Sequence, residues 1–596
     1  MTSSHRLYRT PRLNRIRNWW VRWTLVLGLI GASSLSTHAS DVLRFMPEDA
    51  LGFVLVRDLA DFDAKVSRFT QLFNLPVPGP LEYAKLATGL DQGLRPQGEL
   101  LIALIPGPPE LPAPQPMVLL PVNNYAQLAE AIHGDPSGEI CRVSVAGEDV
   151  LIAKFDSYAL LMNVEHRETM ELLLGLQQAP VANLKPLDTW IASNDLIVAI
   201  LPNGLEALLH LGGQYTTQQQ ELIANELDAP HFSPVREQME RNVELYQWVL
   251  DTLGSEIELA AFAVSLDDST NLRISKRVLL NEESQFATQE GVLETSGSAL
   301  GGFTNQPFVF AAGGPIPEKW IAPLASVNRK LMQQMPELYG SEEFGSDEWK
   351  KLEEYSVATM KSLKSLSMIL LPGSKGEPLF SNVFGIAKTS DAEAYLESYS
   401  KAAELWNELM ANSTSDISLE YQVSSRTVGG AEAREIVVDV AAAARDPNVP
   451  VFNWLLEAMF GGDGKMRQLL VAANQQTLVY GMAEEKQLLP VIDAAKNGEL
   501  GLVNSSDVQV TMKLLPEQPS WTMLVSPQGC VVWAKRIAEE FLSHLIGETP
   551  RIPDFGTSPP LGMAVNLRDK QLEVDWVCPV ETLQALAAYI EKCKAL

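Results

Sequence analysis

The sequence lacks the short motifs by which common hydrolase, nucleotide-binding and zinc sites are recognised. It has no Gly-x-Ser-x-Gly segment, the strained turn that exposes a nucleophilic serine. It also has no His-Glu-x-x-His or His-x-His spacing, which would bring two imidazoles onto one metal ion. The sequence therefore predicts no metal and no cofactor, leaves any catalytic residue unknown, and favours a protein that is not an enzyme.

The segments closest to such motifs have simpler interpretations. The run Gly461-Gly462-Asp463-Gly464-Lys465 is similar to a phosphate-binding loop, but Met466 stands where that loop needs Ser or Thr, so we interpret it as a flexible turn. The stretch from Asp267 to Asn271 offers oxygen ligands but lacks the glycine and the terminal glutamate of a calcium loop, so it is interpreted as a hairpin turn. Carboxylate pairs such as Glu342-Glu343 and Glu353-Glu354 are expected on solvated helix surfaces.

Histidine is scarce after residue 39. The five histidines are His133, His166, His210, His231 and His544. His166, with Glu165 and Glu168 beside it, comes nearest to a reactive group, although a helix N-terminal turn explains the same residues. A hydrolase site that no motif reveals stays an alternative, and it would need His166 or His231 close to carboxylates and a hydroxyl group.

Cysteine is also scarce for a chain of 596 residues. The four cysteines are Cys141, Cys530, Cys578 and Cys593, and they form no Cys-x-x-Cys or zinc-type spacing. An oxidising compartment would permit a disulfide between Cys578 and Cys593. Isolated buried thiols are the other interpretation, and the sequence does not decide between them.

Basic residues are few, because 46 Lys and Arg face 74 Asp and Glu and the net charge is −28. An acidic surface repels the phosphates whose binding requires Lys and Arg, so nucleic acid is not expected as a partner. Six of the arginines lie in residues 1–39, which contain no acidic residue, so a chain without that segment would carry a net charge of −34.

Long apolar runs are absent, and the N-terminal run from Thr24 to Ala32 has only nine residues. A bilayer-spanning helix needs about 20. Arginines, a short apolar run and then small residues up to Ala39 are typical of a secretory signal. We predict a signal peptide at residues 1–39, cleavage after Ala39, and a periplasmic or secreted protein with no stable membrane span. An uncleaved signal anchor is the alternative, because Trp19, Trp20 and Trp23 could lengthen the segment.

The rest of the chain repeats one order of predicted elements. A strand at residues 52–56 enters a helix, and residues 307–312 do the same in the second half. The runs Leu100 to Ile105 and Met368 to Leu371 both stop at Pro-Gly. Predicted counterparts follow for residues 142–145, 150–154 and 158–164, namely residues 419–424, 435–440 and 469–480. The strand 193–202 is matched with 505–516, and each half ends on a hairpin, at residues 261–279 and 561–577.

These matches predict an α+β fold made of two tandem homologous units, at residues 41–300 and 301–596, with an insertion near 441–465. Each unit is expected to hold a mainly antiparallel or mixed sheet with helices on one side. The Gly-, Ser- and Thr-rich stretch 295–304 is the predicted junction.

The opening Met46-Pro47-Glu48-Asp49-Ala50, followed by an apolar strand and Arg57-Asp58-Leu59, resembles a loose family of large exported bacterial proteins of unknown function, common in planctomycetes. Members typically open with a Leu-Pro-Ala-Asp-Thr-like motif, from which Met46 and Glu48 depart. The resemblance implies export and a duplicated α+β fold. It implies no known activity and no site residues.

The sequence thus predicts an exported, non-catalytic protein that binds or scaffolds an unknown envelope protein or ligand. An extracytoplasmic hydrolase and an uncleaved, membrane-anchored envelope protein are the alternatives. Ligand, oligomeric state and the division of roles between the two units stay open.

Overall fold

A computed structural model describes residues 40–596 except 76, 89–91, 108–112, 146, 176–181, 227–232, 287–299, 334–346, 412–419, 440–457, 462–463, 543–549 and 569. The predicted signal peptide, His231, His544, Glu342-Glu343 and most of the predicted insertion and junction lie outside the described residues. The contacts divide the chain into unit 1, Met1–Leu205 with Leu259–Ile274, and unit 2, Glu206–Glu258 with Ser275–Leu596.

The fold is α+β. The strands are β1 Gly52–Val56, β2 Leu100–Ile105, β3 Gln115–Pro121, β4 Ile140–Val145, β5 Glu148–Phe155, β6 Tyr158–Asn163, β7 Leu196–Ile200, β8 Ile257–Leu266, β9 Leu272–Leu280, β10 Phe310–Pro315, β11 Leu363–Leu370, β12 Val383–Thr389, β13 Tyr421–Val428, β14 Ala431–Val438, β15 Met466–Asn474, β16 Thr477–Gly481, β17 Trp521–Val525, β18 Leu561–Arg568 and β19 Gln571–Cys578.

Helices lie between these strands. They are α1 Leu59–Leu72, α2 Pro80–Thr88, α3 Tyr125–Ala131, α4 Arg167–Gly175, α5 Asp188–Ala192, α6 Pro202–Glu226, α7 Ser233–Glu256, α8 Glu318–Gln333, α9 Asp347–Ser362, α10 Ala392–Ala411, α11 Glu485–Asn497, α12 Ser506–Met512, α13 Pro527–Ile537 and α14 Val580–Lys594. Short 3₁₀ segments cover Asp41–Phe45, Val164–His166 and Ala182–Leu187.

The sheet of unit 1 has the strand order β4-β5-β6-β3-β2-β1-β7-β8, with antiparallel neighbours throughout. Its centre is β1, whose apolar residues pair with both β2 and β7. Gly52 is required there because a Cβ atom would overlap the backbone of Ala199 on β7. Asp58 then caps α1 by accepting hydrogen bonds from the N–H groups of Ala60 and Asp61, at 3.0 and 2.9 Å.

The sheet of unit 2 has the strand order β13-β14-β15-β16-β12-β11-β10-β17-β18-β19, and these pairings are also antiparallel. Strand β9 pairs with β19. The buried guanidinium of Arg277 on β9 lies 3.1 Å from the carboxylate of Asp575 on β19. Residues 275–280 are therefore joined to the C-terminal hairpin by backbone pairing and by charge.

The helices of unit 2 lie on both faces of its sheet, so the expectation of helices on one side is wrong for this unit. Ile386 of β12 belongs to a buried cluster with Leu488 of α11. Its neighbour Ala387 points to the other face and packs in a cluster with Leu396 of α10. Adjacent strand residues point to opposite faces, so β12 is buried on both sides.

Two predicted strands need correction. Residues 505–516 were predicted as a strand matching residues 193–202, but Ser506–Met512 form helix α12. Val508 and Thr511 are buried three residues apart, which is helical spacing, and Asp507 in the first turn complements the helix dipole. The strand in the corresponding place is β17.

Residues 469–480 form two strands rather than one. A tight turn separates β15 from β16, and in it the Asn474 side chain accepts the N–H of Gln476 at 3.0 Å. Asparagine is a common turn residue because its side chain can bond the backbone two residues ahead. The predicted run was therefore one hairpin read as a single strand.

Candidate functional site

A cavity of about 550 Å³ lies in unit 2 beside the N-terminal end of α11. Its walls come from the loop at residues 377–381, from strands β13, β14 and β15, from residues 458–461 and from residues 482–487. The volume falls within the range of about 300–1,000 Å³ that is typical of small-molecule sites. We take this cavity as the candidate functional site.

One wall of the cavity is apolar and aromatic. The rings of Phe380 and Phe460 stack with centroids 6.0 Å apart, and Trp533 of α13 meets the Phe380 ring edge-on at 6.4 Å. Backbone hydrogen bonds hold this wall, because the N–H of Phe380 donates to the carbonyl of Met459 at 3.2 Å. The wall is thus built from two segments that are far apart in sequence.

Methionines complete the apolar surface. Met459, Met466 and Met482 line the cavity together with the two phenylalanines. Methionine is unbranched and polarizable, so its side chain adapts to apolar groups of different shapes. A cavity lined in this way can therefore accept apolar groups of more than one shape.

The rim of the cavity is charged and internally paired. The Arg426 guanidinium lies 2.9 Å from Glu485 at the start of α11 and 3.3 Å from Glu435 on β14. Lys486 pairs with Glu484 at 2.8 Å. The rim therefore presents both signs of charge next to the apolar wall.

Glu377 on the rim is a fixed hydrogen-bond acceptor. Its carboxylate accepts the N–H of Ser374 at 2.9 Å and the side-chain amide of Asn382 at 3.0 Å. The Ser374 hydrogen bond is the main reason that the pKa of Glu377 is lowered, and Asn382 adds to the effect. A carboxylate held ionised is suited to fixing the loop and unsuited to donating a proton near neutral pH.

The cavity lining combines one hydroxyl group with several carboxylates. The hydroxyl group of Ser381 donates to the carbonyl of Pro378 at 2.8 Å. The carboxylates are those of Glu377, Glu435, Glu484 and Glu485, and no histidine is among the residues that line this cavity. These charged groups lie beside the apolar wall, so the lining as a whole is amphipathic.

The structure does not bring the described histidines together with this cavity. His166 is buried in the 3₁₀ segment before α4, where burial lowers the pKa of its imidazole and Glu165 opposes that shift. His133 occupies a turn with φ of 61°. His210 is exposed on α6 and lies 2.9 Å from the Gln214 side chain. None of these three has the carboxylate and hydroxyl partners that the hydrolase alternative requires.

The motif-like segments have structural roles where they are described. Gly461 lines the cavity, and Lys465 pairs with Asp439 at 3.3 Å. Asp267 accepts the N–H of Asn271 at 2.9 Å in a tight turn, as the hairpin interpretation predicted.

Other sequence candidates also have structural partners. Glu353 forms an ion pair with Arg329. The four cysteines are free thiols, so Cys578 and Cys593 are not joined by a disulfide.

Sequence reasoning missed a buried ionic cluster in unit 1, which consists of Arg57, Asp61, Lys65, Glu99 and Asp195. Arg57 Nε lies 3.2 Å from Glu99, and Lys65, only 1% exposed, lies 3.0 Å from Asp61. Asp195 is 3% exposed, and its Oδ2 atom has no hydrogen-bond partner in the described structure. Burial is the main reason that the pKa of Asp195 rises to about 8. The Arg57-Asp58-Leu59 motif was the sequence signal for this cluster.

A second surface of unit 2 carries exposed apolar residues on two antiparallel helices. Leu208, Leu211 and Tyr215 on α6 and Tyr246, Val249 and Leu253 on α7, here called the α6–α7 stripe, are 37–58% exposed. The rings of Tyr215 and Tyr246 contact each other at 6.1 Å. Spacings of three and four residues place each set along one side of its helix.

The two helices of the α6–α7 stripe also carry exposed acidic residues, namely Glu206, Glu221, Glu244 and Asp251. Large exposed apolar patches are uncommon on monomeric proteins and often mark interaction sites. The stripe is therefore a candidate protein-binding surface on two helices with an excess of acidic residues.

Comparisons with protein families, with curated proteins and with solved structures found no match for this chain. In the described part of the chain, no helix is long and apolar enough to cross a bilayer. Nor do the described residues contain a group of three or more His, Cys, Asp or Glu placed to hold a metal ion.

Proposed function

We propose that this chain is an exported envelope protein that acts by binding and not by catalysis. The observation that carries the proposal is the cavity in unit 2, where an aromatic and methionine wall meets an ion-paired rim. Export is supported by the arginines, the short apolar run and the small residues that precede Ser40. An extracytoplasmic hydrolase and an uncleaved, anchored protein remain the competing proposals.

We propose a small amphipathic molecule as the ligand of the cavity. Its apolar body would lie against Phe380, Phe460 and the methionines, and a polar or charged group would face Arg426 and the carboxylates beside it. Burying apolar surface contributes about 25 cal/mol per Å², so the apolar body would supply most of the affinity. The ion-paired rim would orient the ligand more than it would add to the affinity.

The binding test uses N-phenyl-1-naphthylamine, an uncharged apolar dye whose fluorescence rises in apolar surroundings. We expect saturable binding to the wild-type chain and at least a tenfold weaker Kd in Met459→Arg, which places a charge on the apolar wall. Leu500→Arg is the matched control, because Leu500 is 43% exposed and does not line the cavity. Equal affinity in all three proteins would contradict the assignment of the cavity.

We further propose that residues 41–300 and 301–596 descend from an internal duplication. The strand order β4-β5-β6-β3-β2-β1-β7-β8 has the same connectivity as β14-β15-β16-β12-β11-β10-β17-β18, with β13 added at one edge. In this order β4, β5 and β6 match β14, β15 and β16, so the sequence-based matches to residues 419–424, 435–440 and 469–480 were displaced by one strand. Helices α6 and α13 also both begin at a proline that follows the corresponding strand. These agreements in order support a common origin.

Limited proteolysis tests the predicted boundary near residue 300. We expect two resistant fragments on a denaturing gel. The pairing of β9 with β19 and the Arg277–Asp575 ion pair predict that the two fragments stay associated under native conditions. A single resistant fragment spanning residue 300 would contradict the domain proposal.

The scaffolding part of the proposal is supported by the α6–α7 stripe. The acidic residues of these two helices and the net charge of −28 favour a partner helix with an apolar face and basic flanks over a second copy of this acidic chain. A synthetic heptad peptide with leucines on one face and flanking lysines should bind the wild type. It should bind the double variant Leu211→Glu, Val249→Glu at least tenfold more weakly.

Two controls make the peptide experiment decisive. The same peptide with glutamates in place of lysines should bind more weakly than the lysine form at low salt. Light scattering of the free protein measures self-association. If the free protein forms concentration-dependent dimers that Leu211→Glu abolishes, and if it does not bind the peptide, the partner of the stripe is a second copy of this chain and not a basic helix.

A further inference from the structure

Glu99 accepts hydrogen bonds from the first residues after the predicted cleavage site. Its Oε2 atom accepts the Ser40 hydroxyl at 2.9 Å and the N–H of Val42 at 3.1 Å. Ser40 is only 7% exposed and Val42 is fully buried. The N–H of Leu43 donates to the carbonyl of Ser40 at 3.2 Å, so a 3₁₀ turn fixes this start of the chain.

Glu99 has one arginine in direct contact and an aspartate nearby. Its Oε1 atom faces Arg57, which also lies near the carboxyl group of Asp195. Burial is the main cause that raises the pKa of Glu99, and nearby Asp41 raises it further. Hydrogen bonds from Val42 and Ser40 and the charge of Arg57 oppose that rise. A further cation at Ser40 would complement this group of charges.

We propose that Glu99 is the binding site for the N-terminal α-ammonium group that cleavage creates at Ser40. Hydrolysis breaks the Ala39–Ser40 amide bond, adds water, and leaves a carboxylate on Ala39 and an ammonium group on Ser40. The nitrogen is attached to the same Cα atom as the hydroxymethyl group that already reaches Glu99. The inference rests on the proposed export, and it assigns a structural consequence to cleavage at this one bond.

The pair has a defined pH dependence. An α-amino group ordinarily has a pKa of about 7.7–8.0, and an adjacent carboxylate raises it. Stability from the pair is then fully present below about pH 7.7 and is lost as pH rises through the raised value.

The other groups near this site are Asp41, Arg44, Arg57, Arg95, Tyr158 and Asp195. Burial raises the pKa of Tyr158 to about 12. Burial also raises the pKa of Asp195 to about 8, so this carboxyl group titrates in the same range, but it does so alike in the Ser40 chain and in the glycine-extended chain.

The experiment compares chains released from a removable N-terminal fusion. One begins at Ser40, one begins at Ser40 and carries Glu99→Gln, and one has two glycines before Ser40. The pKa of each N-terminal amine is obtained from its acetylation rate against pH, followed by mass spectrometry of the N-terminal peptide. We expect a value at least one unit higher in the Ser40 chain than in Glu99→Gln, which lowers the reactive fraction of the amine about four- to sixfold at pH 8 and about tenfold well below pH 7.

The glycine-extended chain keeps Glu99, so it provides a second test of the proposal if Glu99→Gln does not fold. We expect its melting temperature to be lower than that of the Ser40 chain at pH 7 and the difference to vanish near pH 10. Equal melting temperatures at pH 7, or equal amine pKa values with and without Glu99, would overturn the proposal. Because every chain is cut in vitro, failure here leaves the export proposal untouched, and that proposal is tested by the N-terminus found in cells.

Discussion

Replacing Asp195 by asparagine should change the pH dependence of stability of unit 1 in a calculable way. Asp195 lies in the buried ionic cluster, and its Oδ2 atom has no hydrogen-bond partner in the described structure. Burial first, and Asp61 second, raise the pKa of Asp195 from 3.8 to about 8, against the opposing effects of Lys65, the Leu266 N–H group and Arg57. The carboxyl group is therefore neutral at pH 7 in the folded protein and ionised in the unfolded chain.

The sign and size of the change in stability with pH follow from proton linkage. A raised folded pKa means that the native state binds the extra proton, so stability is present below about pH 4 and is lost as pH rises toward 8. Each pH unit in this window costs about 1.4 kcal/mol, with a ceiling of about 5–6 kcal/mol over the whole window. Asparagine has the same shape as the neutral acid and carries no such cost.

The assay is the melting temperature of Asp195→Asn minus that of the wild type, measured from pH 5 to pH 8. At about 2–4 °C per kcal/mol for a unit of this size, the difference should rise by about 3–5 °C for each pH unit. Asp493→Asn, at an exposed position on α11, is the control and should show no such trend. A difference that stays constant or falls with pH would refute the assignment of a neutral, buried Asp195.

Three further predictions concern single sites. Asp575→Ala should lower the free energy of unfolding by about 3–5 kcal/mol in urea titrations, because the buried guanidinium of Arg277 loses its nearest carboxylate and keeps the more distant Glu573 at 3.9 Å. Arg277→Met with Asp575→Leu should recover most of the loss. Gly204→Ala should destabilise the protein by about 1–3 kcal/mol, because its Cβ atom would overlap a backbone carbonyl oxygen. Gly213→Ala on the same helix has open space around the new Cβ atom and should stabilise the protein by about 0.5–1 kcal/mol. Thermal unfolding measures both effects. Cys593 is exposed and should be the first thiol to react with a maleimide in the native protein at pH 7, as mass spectrometry of tryptic peptides will show; uniform labelling of all four thiols would contradict this.

Sequence patterns predicted the local elements well where one signal dominated. The apolar runs 52–56 and 100–105 became β1 and β2, since Gly52 and Arg57-Asp58 bound the first run and Gly98 and Pro106-Gly107 bound the second. The closing hairpin was also predicted within a few residues. The α+β class is confirmed for the described residues, whereas the duplication and the boundary at residue 300 stay predictions.

The two strand errors have different causes. Short apolar runs fit both a strand and one face of a helix, so residues 505–516 were assigned by similarity to residues 193–202 and not by their own periodicity. Val508 and Thr511 contain that periodicity. For residues 469–480, the signal that was passed over is Asn474 before a polar pair, which is a turn signature within an apolar run.

The cavity could not be predicted from sequence, because its parts meet only through tertiary contacts. Arg426 and Glu485 are 59 residues apart, and the Phe380 wall depends on backbone bonds to residues 458–460. No local spacing encodes these contacts. The buried ionic cluster had one signal, the charged pair Arg57-Asp58 directly after a buried strand, but its partners Glu99 and Asp195 are distant in sequence.

The most direct test of the account is the N-terminus of the protein recovered from cells. Mass spectrometry of the intact chain and of its N-terminal peptide, taken from the envelope or secreted fraction, should show a protein that begins at Ser40. That result would support export and would place a free ammonium group beside Glu99. A chain that still begins at Met1 would contradict the cleaved, exported form and would favour the membrane-anchored alternative.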